Sequence, residues 1–270
     1  MKPAAFGYDR PAGWPEALRL LAAGARPVAG GQSLGPMLNL RLAQPDRLAD
    51  LRHLPDYAGV RAAGGAVRIG AGTTHAAIED GAVPGRLGAV LAAVARRIAY
   101  RAVRNRGTIG GSLAHADPAA DWVAVLPALG GTALAIGPEG ERRMPLDRFM
   151  LGLFETALAP EELLLAVELP VLPDAARWGH WKFCRKAGEF SKATACVLAV
   201  PGAPRAVLAA LDAPPLLIAD AAALLADPRA EAERIVAALA LQDPWRAALA
   251  RTALRRAAEA AGAAPSRMGP

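Results

Sequence analysis

Two short glycine-rich elements lie far apart in the chain: Ala29-Gly30-Gly31-Gln32-Ser33-Leu34 and Thr108-Ile109-Gly110-Gly111-Ser112-Leu113. Each presents backbone N–H groups that no glycine side chain shields, beside a hydroxyl donor. Glycine allows a backbone to approach a ligand closely, and successive N–H groups can form an anion-binding concavity. One such loop cradles a phosphate. Two brought together from opposite sides grip a pyrophosphate, which suits a dinucleotide such as FAD. A Gly-x-Gly-x-x-Gly turn after a first strand is absent, so a single-turn nicotinamide fingerprint has no support.

At 270 residues the chain can build one large or two modest domains with a real core. Its formal charge is +6, yet acids are interspersed among the bases. The densest basic runs, at 96–97, 101–106 and 251–256, read as solvated helix faces or a surface for an acidic partner. Nothing resembles a nucleic-acid-binding motif. The two cysteines, Cys184 and Cys196, are too few for an iron–sulfur cluster and have no Cys-x-x-Cys spacing. The N-terminal residues lack a signal-type apolar run, and no charge-free stretch of about 20 apolar residues occurs. A cytoplasmic protein with no membrane span is therefore expected.

Apolar spacing predicts a helix over 15–23, ended by Gly24, then strands at 26–29 and 48–51. These compose a small β-α-β part over 1–53. Residues 66–71 alternate as a strand, and Thr74 is a fitting N-cap for a helix beginning at His75. Leu87, Val90, Leu91, Val94, Ala95 and Ile98 mark the clearest amphipathic helix. A helix at 121–129 and strands at 132–136, 141–144 and 163–169 complete a larger part over 54–170. Pro170 and Pro173 bracket a linker, after which strands are expected at 181–184, 194–200 and 206–211, followed by two alanine-rich helices.

The first element also contains Gly31-Gln32-Ser33-Leu34-Gly35, which fits the Gly-x-Ser-x-Gly nucleophile elbow of serine hydrolases. Asp121 and His180 follow in the required order. Against a hydrolase, Ser33 comes before enough strands exist to surround it, Pro36 sits close behind it, and no oxyanion-loop sequence precedes it. In the second element, Ser112 is placed to donate to a phosphate and Asp121 to accept from a ribose or ribityl hydroxyl. Asp117-Pro118 reads as a turn, and His115 is open to either a structural or a binding role.

Together these residues carry a resemblance. Residues 29–34 with Pro36-Met37-Leu38-Asn39-Leu40-Arg41-Leu42-Ala43, and the run from Arg104-Asn105-Arg106-Gly107 through Thr108 to Asp121, resemble the two flavin loops of the FAD-binding medium subunits of molybdenum hydroxylases. Carbon monoxide dehydrogenase flavoproteins and xanthine dehydrogenase FAD domains belong to this family. Pro160-Glu161-Glu162-Leu163-Leu164 and Lys182-Phe183-Cys184-Arg185-Lys186-Ala187-Gly188-Glu189-Phe190 are similar to its later landmarks.

The resemblance implies an α+β fold: a two-part vanillyl-alcohol-oxidase-like (PCMH-type) FAD domain over 1–170, and over 171–270 a C-terminal domain with a three-stranded antiparallel sheet and helices. It further implies that Ala29, Gly30, Gly31, Gln32, Ser33, Leu34 and Gly35, with Thr108, Ile109, Gly110, Gly111 and Ser112, hold the FAD pyrophosphate. Asp121 would meet the cofactor's polar middle, and Leu164 and Lys182 would lie near the flavin. A cation there offsets negative charge on the reduced ring; the alternative for Lys182 is a surface lysine. Gln32 stands where related folds attach flavin through His or Cys, so FAD is expected to be non-covalent. The region after Val200 is shorter than the family pattern, turning at Pro201-Gly202-Ala203-Pro204.

By the same resemblance the chain carries electrons within a heterotrimer. A large subunit holds molybdopterin, a small subunit holds [2Fe–2S] clusters, and an external acceptor takes the electrons. No acid–base residue is required in this chain. The competing expectations are a free-standing flavin oxidoreductase, for which the residues after Pro170 are too few to build a substrate domain, and an adaptor that has lost its cofactor.

Overall fold

The computed structural model describes residues 2–262. The chain opens with β1 (Gly7–Asp9), α1 (Trp14–Ala22), β2 (Arg26–Val28), α2 (Leu34–Asn39) and β3 (Arg47–Asp50). The three strands form a parallel sheet in the order β1-β3-β2. Parallel neighbours need crossovers, which α1 and α2 supply. Helix α1 begins with Pro15 in its first turn and is followed by Gly24 at φ +84°, a left-handed conformation open to glycine without strain.

β1 is too short to show alternation, and its register depends on a buried carboxylate instead. Asp50, wholly buried at the end of β3, accepts from the Tyr8 hydroxyl at 2.6 Å and from Arg52 Nε at 2.9 Å. Burial opposes its charge, but Arg52 and Tyr8 outweigh that and hold the carboxyl well below the usual range.

The second part contains β4 (Val60–Ala63), β5 (Ala66–Gly70), α3 (His75–Glu79), α4 (Gly85–Ala95), α5 (Arg101–Arg104), α6 (Ile109–His115), α7 (Asp121–Ala128), β6 (Thr132–Gly137), β7 (Gly140–Pro145), β8 (Met150–Gly152), β9 (Glu155–Thr156) and β10 (Leu163–Pro170). Five strands pair antiparallel in the order β4-β5-β10-β6-β7, while β8 and β9 form a separate hairpin. Every residue of α7 is buried, because this apolar helix lies between the second part and the C-terminal sheet.

The C-terminal part contains β11 (Arg177–Phe183), β12 (Ala193–Ala199), β13 (Arg205–Ala209), β14 (Leu216–Ile218), α8 (Ala222–Ala226), α9 (Pro228–Ala238) and α10 (Pro244–Gly262). The expectation of three strands and two helices is corrected to four antiparallel strands and three helices. Strand β14 has only three residues beside Pro214 and Pro215, too few for alternation to show.

β12 is buried on both faces, and its alternate residues divide between two cores. Ala193, Ala195, Val197 and Ala199 join the alanines of α10, whereas Cys196 and Leu198 join the main core beside α7. The small side chains let α10 lie close on the sheet. A Cβ at Gly179 of β11 would overlap the Ala257 carbonyl oxygen. The proline-bracketed stretch is no free tether either. Leu172 and Ala176 are buried in the main core, and Val171 N–H donates to Gly65 O at 3.2 Å.

Candidate functional site

A cleft of about 520 Å³ runs between the three parts. Residues 28–34 form one wall, parts of 107–121 another, and residues of 98–99, 162–164 and 188–190 enclose one end. This volume falls in the range of small-molecule and cofactor sites.

The two glycine elements meet directly. A Cβ at Gly30 would overlap the Arg106 carbonyl oxygen and lie 2.8 Å from Gly107 Cα. Gly30 thus permits the backbones to touch, and Gly31 at φ +69° turns the chain toward α2. Among the described residues, no acceptor meets the backbone N–H groups of Gly30, Gly31, Gln32, Ser33 or Leu34. Five consecutive donors without an internal partner, on the wall of a cleft, make an anion-binding concavity.

The second element works differently from expectation. Ile109 and Gly110 N–H donate to Thr73 O (3.0 Å) and Ala71 O (2.9 Å), and Gly111 and Ser112 N–H donate to Thr108 Oγ1 (2.9 Å) and Thr108 O (3.0 Å). These amides are committed to starting α6, with Thr108 as its N-cap. Gly110 is small because it packs on Ala71, where a Cβ would overlap the alanine side chain. What this element offers the cleft is its shape, the Ser112 side chain and the second wall.

Of the predicted residues, Ala29 to Leu34, Thr108, Gly110, Gly111, Ser112, Asp121 and Leu164 line the cleft. Three do not. Ile109 is fully buried in the main core behind it. Gly35 donates its N–H to Gly31 O at 2.8 Å, closing the turn. Lys182 is 5% exposed and sits behind Asp121, where its Nζ donates to Asp121 Oδ2 at 2.9 Å and to Arg97 O at 3.0 Å. It is not a surface lysine, and no side of it lines the cleft.

Asp121 is the polar centre of that wall. Burial pushes its carboxyl up, opposed by the Lys182 charge and hydrogen bond. Its other oxygen, Oδ1, is buried with no partner among the described residues. His180 Nε2 lies 3.7 Å from it, but burial, reinforced by the Arg97 and Lys182 charges, pushes that imidazole down to about 3. A neutral ring is not an ion-pair partner, so Oδ1 is left as an acceptor without a partner, on a residue that lines the cleft.

Ser33 has no hydrogen-bond partner for its hydroxyl among the described residues, and its strand belongs to the small three-stranded sheet. No histidine or carboxylate is joined to it, so the elbow pattern carries no triad. Asp117 Oδ1 accepts from Ala119 N–H at 2.9 Å, the turn expected of Asp-Pro. His115 lines the cleft and packs on Phe154 with ring centroids 5.1 Å apart. The basic run at 101–106 is largely satisfied internally: Arg101 and buried Arg104 bond Glu79, and Arg101 also bonds Asp80. Sequence reasoning passed over His75, seen only as the start of a helix, and Phe190, seen only within a landmark. Both line the cleft.

A family model described as "FAD binding domain in molybdopterin dehydrogenase" matches residues 4–172. The chain is 39% identical over 194 residues to the 6-hydroxypseudooxynicotine dehydrogenase complex subunit alpha of Paenarthrobacter nicotinovorans, covering 71% of this chain and 66% of that protein. It is 38% identical over 202 residues to the carbon monoxide dehydrogenase medium chain of Hydrogenophaga pseudoflava, covering 73% and 70%. A solved carbon monoxide dehydrogenase from Hydrogenophaga pseudoflava superposes with a TM-score of 0.86 at 31% identity, over 97% of this chain and 98% of that one. With the glycine elements facing one cleft and the family model matching over both, the chain belongs to the FAD-binding domain family of molybdopterin dehydrogenases.

Proposed function

We propose that this chain is the FAD-carrying electron-transfer subunit of a heterotrimeric molybdenum hydroxylase. The observation that carries the reading is the run of five unpartnered N–H groups at 30–34, pressed against the second glycine element on a cleft of dinucleotide size. These donors suit a pyrophosphate, and Asp121, which lines the same cleft, suits a hydroxyl of the cofactor's middle. The apolar wall around Leu164 suits a flat ring system. When bound, FAD supplies a carrier that takes up and releases electrons singly or in pairs.

The chain's own residues bind and orient. Residues 29–34 and the Ser112 hydroxyl hold the phosphates, Thr108, Gly110 and Gly111 form the opposing wall, Gly35 and Ile109 shape the loops, and Lys182 holds Asp121 in place. Gln32 offers no nucleophile for attachment, so FAD is held non-covalently. Partner subunits with [2Fe–2S] clusters and molybdopterin deliver the electrons, and an external acceptor receives them. The relatives are named as subunits or chains of dehydrogenases, which supports that division of labour.

The test is to co-produce the chain with a molybdopterin-binding large subunit and a [2Fe–2S] small subunit of this family, and to record the visible spectrum before and after acid precipitation. Oxidised-flavin bands released to the supernatant support the reading. Bands that stay in the pellet reject non-covalent attachment. No bands, with partners present and FAD added, overturn the assignment.

A further inference from the structure

The cleft has a polar group that the proposed function leaves unused. His75, the first residue of α3, is 5% exposed and lines the cleft. Its backbone is fixed on both sides, since His75 N–H donates to Gly107 O at 2.9 Å and Thr74 caps the helix through Ala77 N–H at 3.1 Å. The ring is fixed too. Its Nδ1 accepts from Trp122 Nε1–H at 3.1 Å, and Trp122 is wholly buried beside Asp121 on α7.

An imidazole whose Nδ1 accepts a hydrogen bond carries its proton on Nε2. Among the described residues Nε2 has no partner. It lies against Gly107, where an added Cβ would stand 3.1 Å from it, and Gly107 Cα is the atom that Gly30 approaches. The free Nε2–H is thus held at the junction of the two glycine elements. Burial, with the nearby Arg104 charge, pushes the ring down to about 4, so it is a neutral donor at physiological pH.

We propose that His75 Nε2–H donates a hydrogen bond to an oxygen of the bound dinucleotide, phosphate or ribityl, and that Trp122 sets the tautomer that makes this possible. The inference rests on the FAD reading above. A neutral donor adds to the five amides without adding charge, and its position is set by α3 and α7, outside the glycine loops themselves.

The test compares FAD binding by the full chain, assembled with its partner subunits, for wild type, His75→Asn and His75→Gln, using quenching of flavin fluorescence. Asn places an acceptor near Nδ1 and keeps the Trp122 contact, but has no group at Nε2. Gln places an amide donor near Nε2. The expected result is a roughly ten- to hundredfold weaker Kd for His75→Asn with its melting profile retained, and substantial recovery in His75→Gln.

Titrating with ADP by calorimetry and with riboflavin by fluorescence separates the two oxygens: a loss with ADP assigns the phosphate, a loss with riboflavin the ribityl chain, and a loss with neither overturns the proposal. Wild-type affinity in His75→Asn overturns the proposal. Equal losses in both variants overturn it as well, because they trace the effect to ring packing against Gly107. A wild type that binds no FAD overturns the proposed function itself, and this inference with it.

Discussion

The glycines of this chain are alike in sequence and unlike in role. Gly31 serves a left-handed turn, whereas Gly30 and Gly110 have ordinary backbone angles and serve close approach. Gly30→Ala forces the Arg106–Gly107 backbone away. We expect it to lower stability by about 1–3 kcal/mol and to weaken FAD binding at least tenfold, read by thermal melting and flavin titration. A second residue-scale consequence concerns His75 and His180, pushed down to about 4 and about 3 by burial first and neighbouring cations second. Unfolded, both titrate near 6.5. Their full contribution is therefore present above that pH, and it is lost as pH falls, by about 1.4 kcal/mol per unit for each ring. Asp121, pushed up by burial, works in the opposite direction at the acid end. Urea midpoints at pH 7 and pH 5.5 should fall accordingly, and the slope should shrink in His180→Gln. An unchanged slope would mean that His180 is already protonated in the fold.

At the scale of elements, the second glycine run is chiefly a helix start. The Thr108 hydroxyl caps α6 while its backbone bridges to Thr74 at the head of α3, so one residue orders a wall of the cleft. Thr108→Ala should cost about 1 kcal/mol in denaturant unfolding and also weaken flavin binding, while Thr108→Ser should restore most of both. Elements with long apolar periodicity were legible from sequence: the helix expected from Leu87 to Ile98 is α4, ending three residues earlier at Ala95. Short edge strands such as β1, β4, β9 and β14 were not, because two to four residues show no usable period and exist only through their partners. In the basic run at 101–106, Arg101 and Arg106 are exposed as a solvated face requires, and Arg104 alone departs from it. Arg104 looks solvated until Glu79, 25 residues earlier, is folded against it at 2.7 Å.

At the scale of the whole molecule, the C-terminal part reaches under the cleft. Lys182 on β11 joins Asp121 on α7 and the Arg97 carbonyl, so the third part braces a wall formed by the second. Lys182→Met leaves a buried carboxylate without its cation and should destabilise the protein by about 3–5 kcal/mol. Asp121 would then be pushed up further. A group raised on folding contributes most at low pH, so the deficit should be largest at neutral pH and shrink on acidification, as chemical denaturation at pH 7 and pH 5 would reveal. A deficit that does not change with pH would locate the effect in packing alone.

The sequence by itself determined the family, the α+β class and the two loops, since glycine freedom and helical periodicity are local properties that neighbours in the chain express. It also determined Asp121 as a polar group beside the second loop. Tertiary structure decided the rest. It assigned the free amides to the first glycine element and the committed ones to the second, because the carbonyls of Ala71 and Thr73 come from a distant strand end. It turned Lys182 away from the cleft and brought His75 into it, with the buried Trp122 fixing the ring from behind. Whether a donor is free depends on which acceptors the fold brings within hydrogen-bonding distance, and such partners lie tens of residues away along the chain.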